Sequence, residues 1–343
     1  MTVNQVLALL AALTLVFTFA DFLINRNCFT DLKMNVKLER HLYLENLEIP
    51  GSLFRQNQMA GNPSMPVYQW NGTFSESDVC NHPEAINHNR LYFHGYYPMF
   101  LYSKFQDRLV SGLIINTGEW KPILSKAILD VLARNHDMLF IDIGGGLGML
   151  SLDVRKKGFD VLLVDPSVSN VQRFCASVKL NGVLDSVSIV LNPLSSRHEH
   201  VQMVAEDDRI SEWFVADNNP LKVAQTNSSR YITKDNVKAA TLDDLLYLPE
   251  LKSDRDLVLH LDTAGYDIRI LRGGESFFEI KRIKAIFMDW TYNSDSEYSG
   301  DIIKFMMVRE FRPFDLNFQI SLVEKPQSQW PDTLVWMHGS YKM

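Results

Sequence analysis

The sequence predicts an α/β fold built on a mostly parallel sheet, and three observations carry that expectation. Apolar runs of strand length recur at residues 138–143, 161–164, 187–191, 257–261 and 283–288. Runs this apolar belong to strands covered on both faces rather than on one. Between them lie segments of helical spacing, such as Leu147, Leu150, Ser151 and Val154, or Val171, Phe174, Cys175 and Val178. The first run and the first of these helices meet at a glycine-rich turn, 144–148, the kind of βα junction beside which such sheets bind ligands.

Taken in order, residues 1–20 carry no charged side chain and 6–19 are almost entirely apolar. Residues 1–25 are therefore expected to be a single-pass transmembrane signal anchor, with a cleaved signal peptide ending near Thr18, Phe19 and Ala20 as the alternative. Arg26, Lys33, Lys37 and Arg40 follow and favour a cytosolic flank. Two sequons, Asn71-Gly72-Thr73 and Asn227-Ser228-Ser229, have meaning only in a lumenal domain. The reading adopted is lumenal, in the endoplasmic reticulum or Golgi. Residues 26–90 are polar and turn-rich and are expected to form a stem that wraps the main domain, 91–343. Of three cysteines, Cys28 and Cys80 can pair, and Cys175 on an apolar helix face is expected as a buried thiol.

The net charge of −7 excludes a nucleic-acid groove, which needs clustered cations. The aromatic cluster Tyr92, Phe93, Tyr96, Tyr97, Phe100 and Tyr102 suits packing at a sheet edge, with a platform for a sugar face as the alternative. Residues 123–132 are helical before the first buried strand, and Gly158 closes the helix after the glycine turn. The second strand ends in Asp165-Pro166, and a helix over 169–181 stops at Asn181-Gly182. Asn192 opens a loop beyond the third strand. His198 and His200 lack a third partner at ligand spacing and are expected at the surface, so no metal centre is predicted. Residues 206–238 are a polar insertion expected to lay short strands over one sheet face. Thr241 should cap a helix, and 314–322 with 333–338 supply two late strands as an antiparallel pair.

The chemistry follows from the turn. A dinucleotide fingerprint needs glycine at the sixth position, but counting from Gly144 that position is Met149, and from Gly146 it is Ser151. The pattern present is acid-x-Gly-x-Gly-x-Gly, on Asp142, Gly144, Gly146 and Gly148. It resembles motif I of Rossmann-like S-adenosylmethionine methyltransferases. With Gly118-Glu119-Trp120, Asp165-Pro166, the Thr241-Leu242-Asp243-Asp244-Leu245 run, the stretch from Leu259 to Gly274 and Asp289-Trp290, the chain resembles the FkbM-type methyltransferases over residues 118–290.

The resemblance implies a Rossmann-like class I fold with a seven-stranded sheet and O-methylation of a sugar or other hydroxylated small molecule or glycan. It also implies S-adenosyl-L-methionine held by Asp142, Gly144, Gly146, Gly148, Asp165 and Asn192. Three residues depart from the family: Gly146 replaces an Asn, His260 a Lys and Ala264 a Glu. Alternation along a strand puts His260 and Asp262 on one face, so the pair is the candidate for proton removal at the acceptor. A histidine satisfied beneath the sheet rim is the structural alternative. The loss of a carboxylate at Ala264 motivates a rival function, a catalytically silent, membrane-tethered binding protein.

Overall fold

In the computed structural model, which describes residues 65–81, 90–94, 97–216 and 231–341, the chain begins with β1 (Val67–Trp70) and β2 (Phe74–Glu76). A 3-10 turn at Val79–Asn81 comes next, then the hairpin of β3 (Arg90–His94) and β4 (Tyr97–Leu101). Two helices, α1 (Val110–Thr117) and α2 (Pro122–Leu132), lead to β5 (Leu139–Ile143). The pattern read from the sequence then holds: α3 (Met149–Lys156), β6 (Asp160–Val164), α4 (Val168–Leu180) and β7 (Val187–Val190). Ser167 caps α4 by accepting from the Asn170 amide at 3.3 Å, which satisfies one of the donors every helix start leaves open.

Beyond β7 come β8 (Leu194–Ser195), β9 (His200–Glu206), β10 (Phe214–Val215), β11 (Tyr231–Lys238) and β12 (Ala240–Thr241), of which β10 and β11 lie within the expected insertion, 206–238. Strands β10, β9 and β11 make a small antiparallel sheet, as the expected short strands would. Beyond it come β13 (Asp256–Leu261), α5 (Asp267–Arg272), α6 (Glu275–Ile280), β14 (Arg282–Asp289), α7 (Ser299–Val308), β15 (Phe311–Phe314) and β16 (Thr333–His338).

The main sheet has the order β15-β16-β14-β13-β5-β6-β7-β1-β2. From β14 to β7 all neighbours are parallel, and β16 runs antiparallel to both β14 and β15. The chain winds from β5 outward through β6 to β7, then returns to place β13 on the other side of β5. That reversal opens a crevice at the carboxyl ends of β5 and β13, where open α/β sheets bind ligands. Phe140, Val161, Val258 and Phe287 fill one face of the sheet against α2 and α3, while Ile141, Leu162, Leu259 and Ile286 fill the other. Each such side chain is essentially fully buried and contributes about 1.5–3 kcal/mol by leaving water.

Several expectations need correction. The sheet has nine strands rather than seven, because Val67–Trp70 pairs with the edge of β7, with Ile189 N donating to Pro66 O at 3.0 Å and Leu191 N to Tyr68 O at 2.8 Å. Residues 67–76 thus belong to the sheet rather than to a stem. The late strand expected at 314–322 ends at Phe314 instead. Asp315 accepts from the Gln319 and Ile320 amides at 3.0 and 3.1 Å and folds the chain into a turn. Thr241 exchanges bonds with Asp244, but the element that follows is a 3-10 turn, at Asp243–Tyr247, whose first flanking residue is Leu242.

Cys175 is not a free thiol: it is bonded to Cys80 across 95 residues, since the apolar face of α4 packs against the 3-10 turn with the two Cα atoms 5.6 Å apart. Cys28, the segment 1–25 and the second sequon at Asn227 lie outside the described residues. Among the described residues no helix is long and apolar enough to cross a membrane. Of the aromatic cluster, Phe100 and Tyr102 are buried, and Tyr102 packs in the same cluster as Phe174 of α4 with its hydroxyl on Asn170 Oδ1 at 2.9 Å.

Candidate active site

A cleft of about 1180 Å³, its open mouth included, lies at the switch point. Its floor is the turn between β5 and α3, and close approach explains two of the glycines. Gly144, at φ +78°, would carry a Cβ 2.1 Å from Asp262 O, and Gly148, at φ +74°, one 2.2 Å from the Phe174 ring. Gly146, at φ +57°, has nothing nearer than Ser211 O at 3.8 Å. This is the position where the FkbM resemblance expects Asn, a residue that tolerates positive φ.

Asp165 stands at the end of β6, on one side of the turn, 4% exposed. Its Oδ2 accepts from Gly146 N at 2.9 Å, and its Oδ1 accepts from Ser167 N at 2.9 Å and from Asn170 Nδ2 at 3.3 Å. Burial pushes its carboxyl up to about 7, although the amide donors favour the charged form. Asn192 lines the cleft at the end of β7, but its side chain is engaged elsewhere. It accepts from Trp70 N at 2.7 Å and donates to Trp70 O and Lys238 O at 3.2 and 3.0 Å, holding β1 and β11 to the sheet.

On the other side His260 and Asp262 both line the cleft, yet they do not pair with each other. His260 sits opposite Asp142 in the β13–β5 register, and its Nδ1 meets Asp142 Oδ1 at 2.8 Å. Ser151 Oγ donates to Asp142 Oδ2 at 2.7 Å. A carboxylate only accepts, so in the neutral ring Nδ1 carries the hydrogen and Nε2 keeps its lone pair. That Nε2 is buried and has no hydrogen-bond partner among the described residues.

Asp262 is instead held by Lys121, Nζ to Oδ2 at 2.8 Å, and the same ammonium reaches Asp289 Oδ2 at 3.1 Å. The cation thus bridges the acids ending β13 and β14. Burial alone would raise Asp262, but Lys121 and neighbouring His260 outweigh it and hold the carboxyl below its ordinary range. Burial likewise disfavours the charge on Lys121, and its two aspartates more than reverse that.

Lys121 was missed in the sequence. It stands between Gly118-Glu119-Trp120 and Pro122, the first residue of α2. Its backbone is left-handed, φ +42° and ψ +53°, a conformation that costs a non-glycine residue on the order of 1–2 kcal/mol and is retained where the surroundings demand it. The only local signal is a lysine-proline step at a helix start, which is too common to mark a site.

Ala264, also at positive φ (+52°), lines the cleft where the family's carboxylate would stand. Nearby Asp267 accepts from Thr263 Oγ1 and Asn293 Nδ2, both at 2.9 Å, and burial pushes it up to about 6. His198 lies away from this cleft, on Asp244 at 2.8 Å and against the Trp70 ring, and His200 is exposed.

The sequence model of one family, described as the methyltransferase FkbM domain, matches residues 142–319, more than half of the chain. Among solved structures the chain is similar to a precorrin-6y C5,15-methyltransferase from Geobacter metallireducens, at 9% identity over 62% of this chain and 87% of that one, with a TM-score of 0.34. A ribosomal protein L11 methylase from Lactobacillus delbrueckii is similar at 11% identity over 62% and 74%, TM-score 0.32. A tRNA (uracil-54, C5)-methyltransferase from Pyrococcus abyssi, in complex with S-adenosyl-L-homocysteine, is similar at 12% identity over 73% and 44%, TM-score 0.34. No curated protein matches the chain.

Proposed function

The chain belongs to the FkbM methyltransferase family, and on that premise we propose that it is an S-adenosyl-L-methionine-dependent O-methyltransferase acting on a sugar, another hydroxylated small molecule or a glycan. The observation that supports this reading most is a juxtaposition in one cleft: the glycine turn and buried Asp165 on one side, the His260 and Asp262 edge on the other. The residues fit the cofactor. Gly146 leaves the floor of the turn open, Asp165 can accept from ribose hydroxyls, and the unpartnered His260 Nε2 points to a group that completes the site. Gly144 and Gly148 shape the turn, and Asp142 anchors it through Ser151.

When bound, S-adenosyl-L-methionine supplies an activated methyl group on a sulfonium sulfur. The chain's own task is then to align a hydroxyl and remove its proton. His260 Nε2 is the base in this reading, with Asp142 fixing the ring and favouring the imidazolium that forms. Asp262, kept ionised by Lys121, accepts from a second hydroxyl of the acceptor and so orients the one that loses its proton to His260.

Placement is part of the proposal: a single-pass membrane protein with its domain in the lumen of the endoplasmic reticulum or Golgi. The Cys80–Cys175 bond supports an oxidising compartment. Asn71 is exposed in the tight turn between β1 and β2, a position accessible to glycosylation.

The test is methyl release from S-adenosyl-L-methionine with a panel of hydroxylated acceptors, on wild type and on His260→Ala and Asp262→Asn. Each substitution should slow turnover by about 10²–10⁴-fold while cofactor affinity moves little. A wild type that binds cofactor and methylates no hydroxylated acceptor would replace this reading with the silent binding protein, which Ala264 on the cleft wall favours.

A further inference from the structure

Two residues that line the cleft each carry a buried polar atom with no hydrogen-bond partner among the described residues, Ser211 through Oγ and Trp213 through Nε1. Both belong to the segment joining β9 to β10 in the inserted sheet. Ser211 is 5% exposed. A hydroxyl or indole N–H kept from water without a partner is costly, and native proteins seldom leave such groups unsatisfied.

The segment is fixed in place rather than loosely draped. Arg108 N donates to Asp208 O at 2.7 Å, and Ile210 N to Gln106 O at 3.2 Å. Asn170 Nδ2 donates to Ser211 O at 2.9 Å, and the same amide reaches Asp165 Oδ1 at 3.3 Å. Ser211 is thereby tied to the acid on the ribose side of the cleft, and its carbonyl lies over open Gly146.

Charge and hydrogen-bond capacity say what this side of the cleft lacks. Asp165 as a carboxylate can only accept, so it meets the hydroxyl donors of a ribose and none of a nucleoside's acceptor atoms. Ser211 offers an O–H and Trp213 an N–H. We infer that Ser211 and Trp213 are cofactor-binding residues supplied by the inserted sheet, donating to ribose oxygens or adenine ring nitrogens at the nucleoside end of S-adenosyl-L-methionine. This rests on the proposed cofactor, and it makes the insertion a wall of the binding site.

The test uses full-length protein, calorimetric titration with S-adenosyl-L-homocysteine and with adenosine alone, and the thermal midpoint of the ligand-free protein. Ser211→Ala and Trp213→Phe should each weaken both ligands by about threefold to tenfold, the loss of one neutral hydrogen bond. The ligand-free midpoint of Ser211→Ala should stay level or rise, because the substitution removes an unpartnered buried group. If wild type binds S-adenosyl-L-homocysteine and both variants bind it equally well, the inference fails and the cofactor reading stands. A Ser211→Ala protein that melts lower yet binds as wild type makes the hydroxyl structural and also overturns the inference. A wild type with no affinity for either ligand overturns the inference and the cofactor reading together.

Discussion

A carboxyl group that titrates near neutrality, such as Asp165, makes ligand binding itself pH-dependent. Its value is raised from 3.8 to about 7 by burial. Folding therefore favours the protonated form, and this group's contribution to stability is full below pH 3.8 and is lost as pH rises through 7. Binding runs the other way, since ribose hydroxyls need the ionised acceptor. Affinity for S-adenosyl-L-homocysteine should rise by about tenfold between pH 6 and pH 8. Asp165→Asn should flatten that dependence, and Asp165→Ala should weaken binding by about 1.5–3 kcal/mol, both by calorimetry. A wild-type profile that is flat would remove Asp165 from the ligand.

Lys121 is tested through its neighbours. Without the ammonium, burial of Asp262 is no longer opposed by its main counter-charge. In Lys121→Met the acid limb of the pH–rate profile should move to higher pH. A lysine that served only to join α2 to the sheet would lower the melting temperature and leave the profile in place.

At the scale of elements, the disulfide matters most because it joins a short 3-10 turn, Val79–Asn81, to the middle of α4. Lys179 Nζ adds a bond to Cys80 O at 2.7 Å. Closing a loop of 95 residues restricts the unfolded chain, so Cys80→Ser should cost about 2–4 kcal/mol in chemical unfolding. Reductant should lower the wild type to the same level and leave the variant unmoved. Equal unfolding midpoints for oxidised wild type and variant would show that the bond is not formed. Because α4 also carries Asn170, which reaches Asp165, the variant should lose some cofactor affinity too.

For the whole molecule the proposed membrane anchor and lumenal placement are tested together. Lumenal placement predicts glycan on Asn71, and on Asn227 as well. Glycosidase treatment of membrane-inserted protein should then produce a mass shift that disappears in the Asn71→Gln, Asn227→Gln double variant. Fully unglycosylated inserted protein would instead support the cytosolic orientation that Arg26, Lys33, Lys37 and Arg40 favour.

What the sequence by itself determined is whatever a short stretch encodes. Buried strands appear as apolar runs, helices as 3.6-residue spacing, and the ligand turn as glycines between two acids. So β5, α3, β6, α4, β7, β13 and β14 were legible, and so were the side chains on the cleft at Asp142, Asp165, His260 and Asp262. Strand alternation put His260 and Asp262 on one face, but a period reports a face and never a partner. Only the tertiary structure decided that His260 meets Asp142, 118 residues away, and that Asp262 meets Lys121, 141 residues away. It also decided the Cys80–Cys175 bond, the two edge strands before residue 77, and the arrival of Ser211 over Gly146. Each is a contact between distant positions that local propensity does not distinguish; those at the cleft exist because the parallel strands β5, β6, β7, β13 and β14 bring their carboxyl ends to one edge of the sheet.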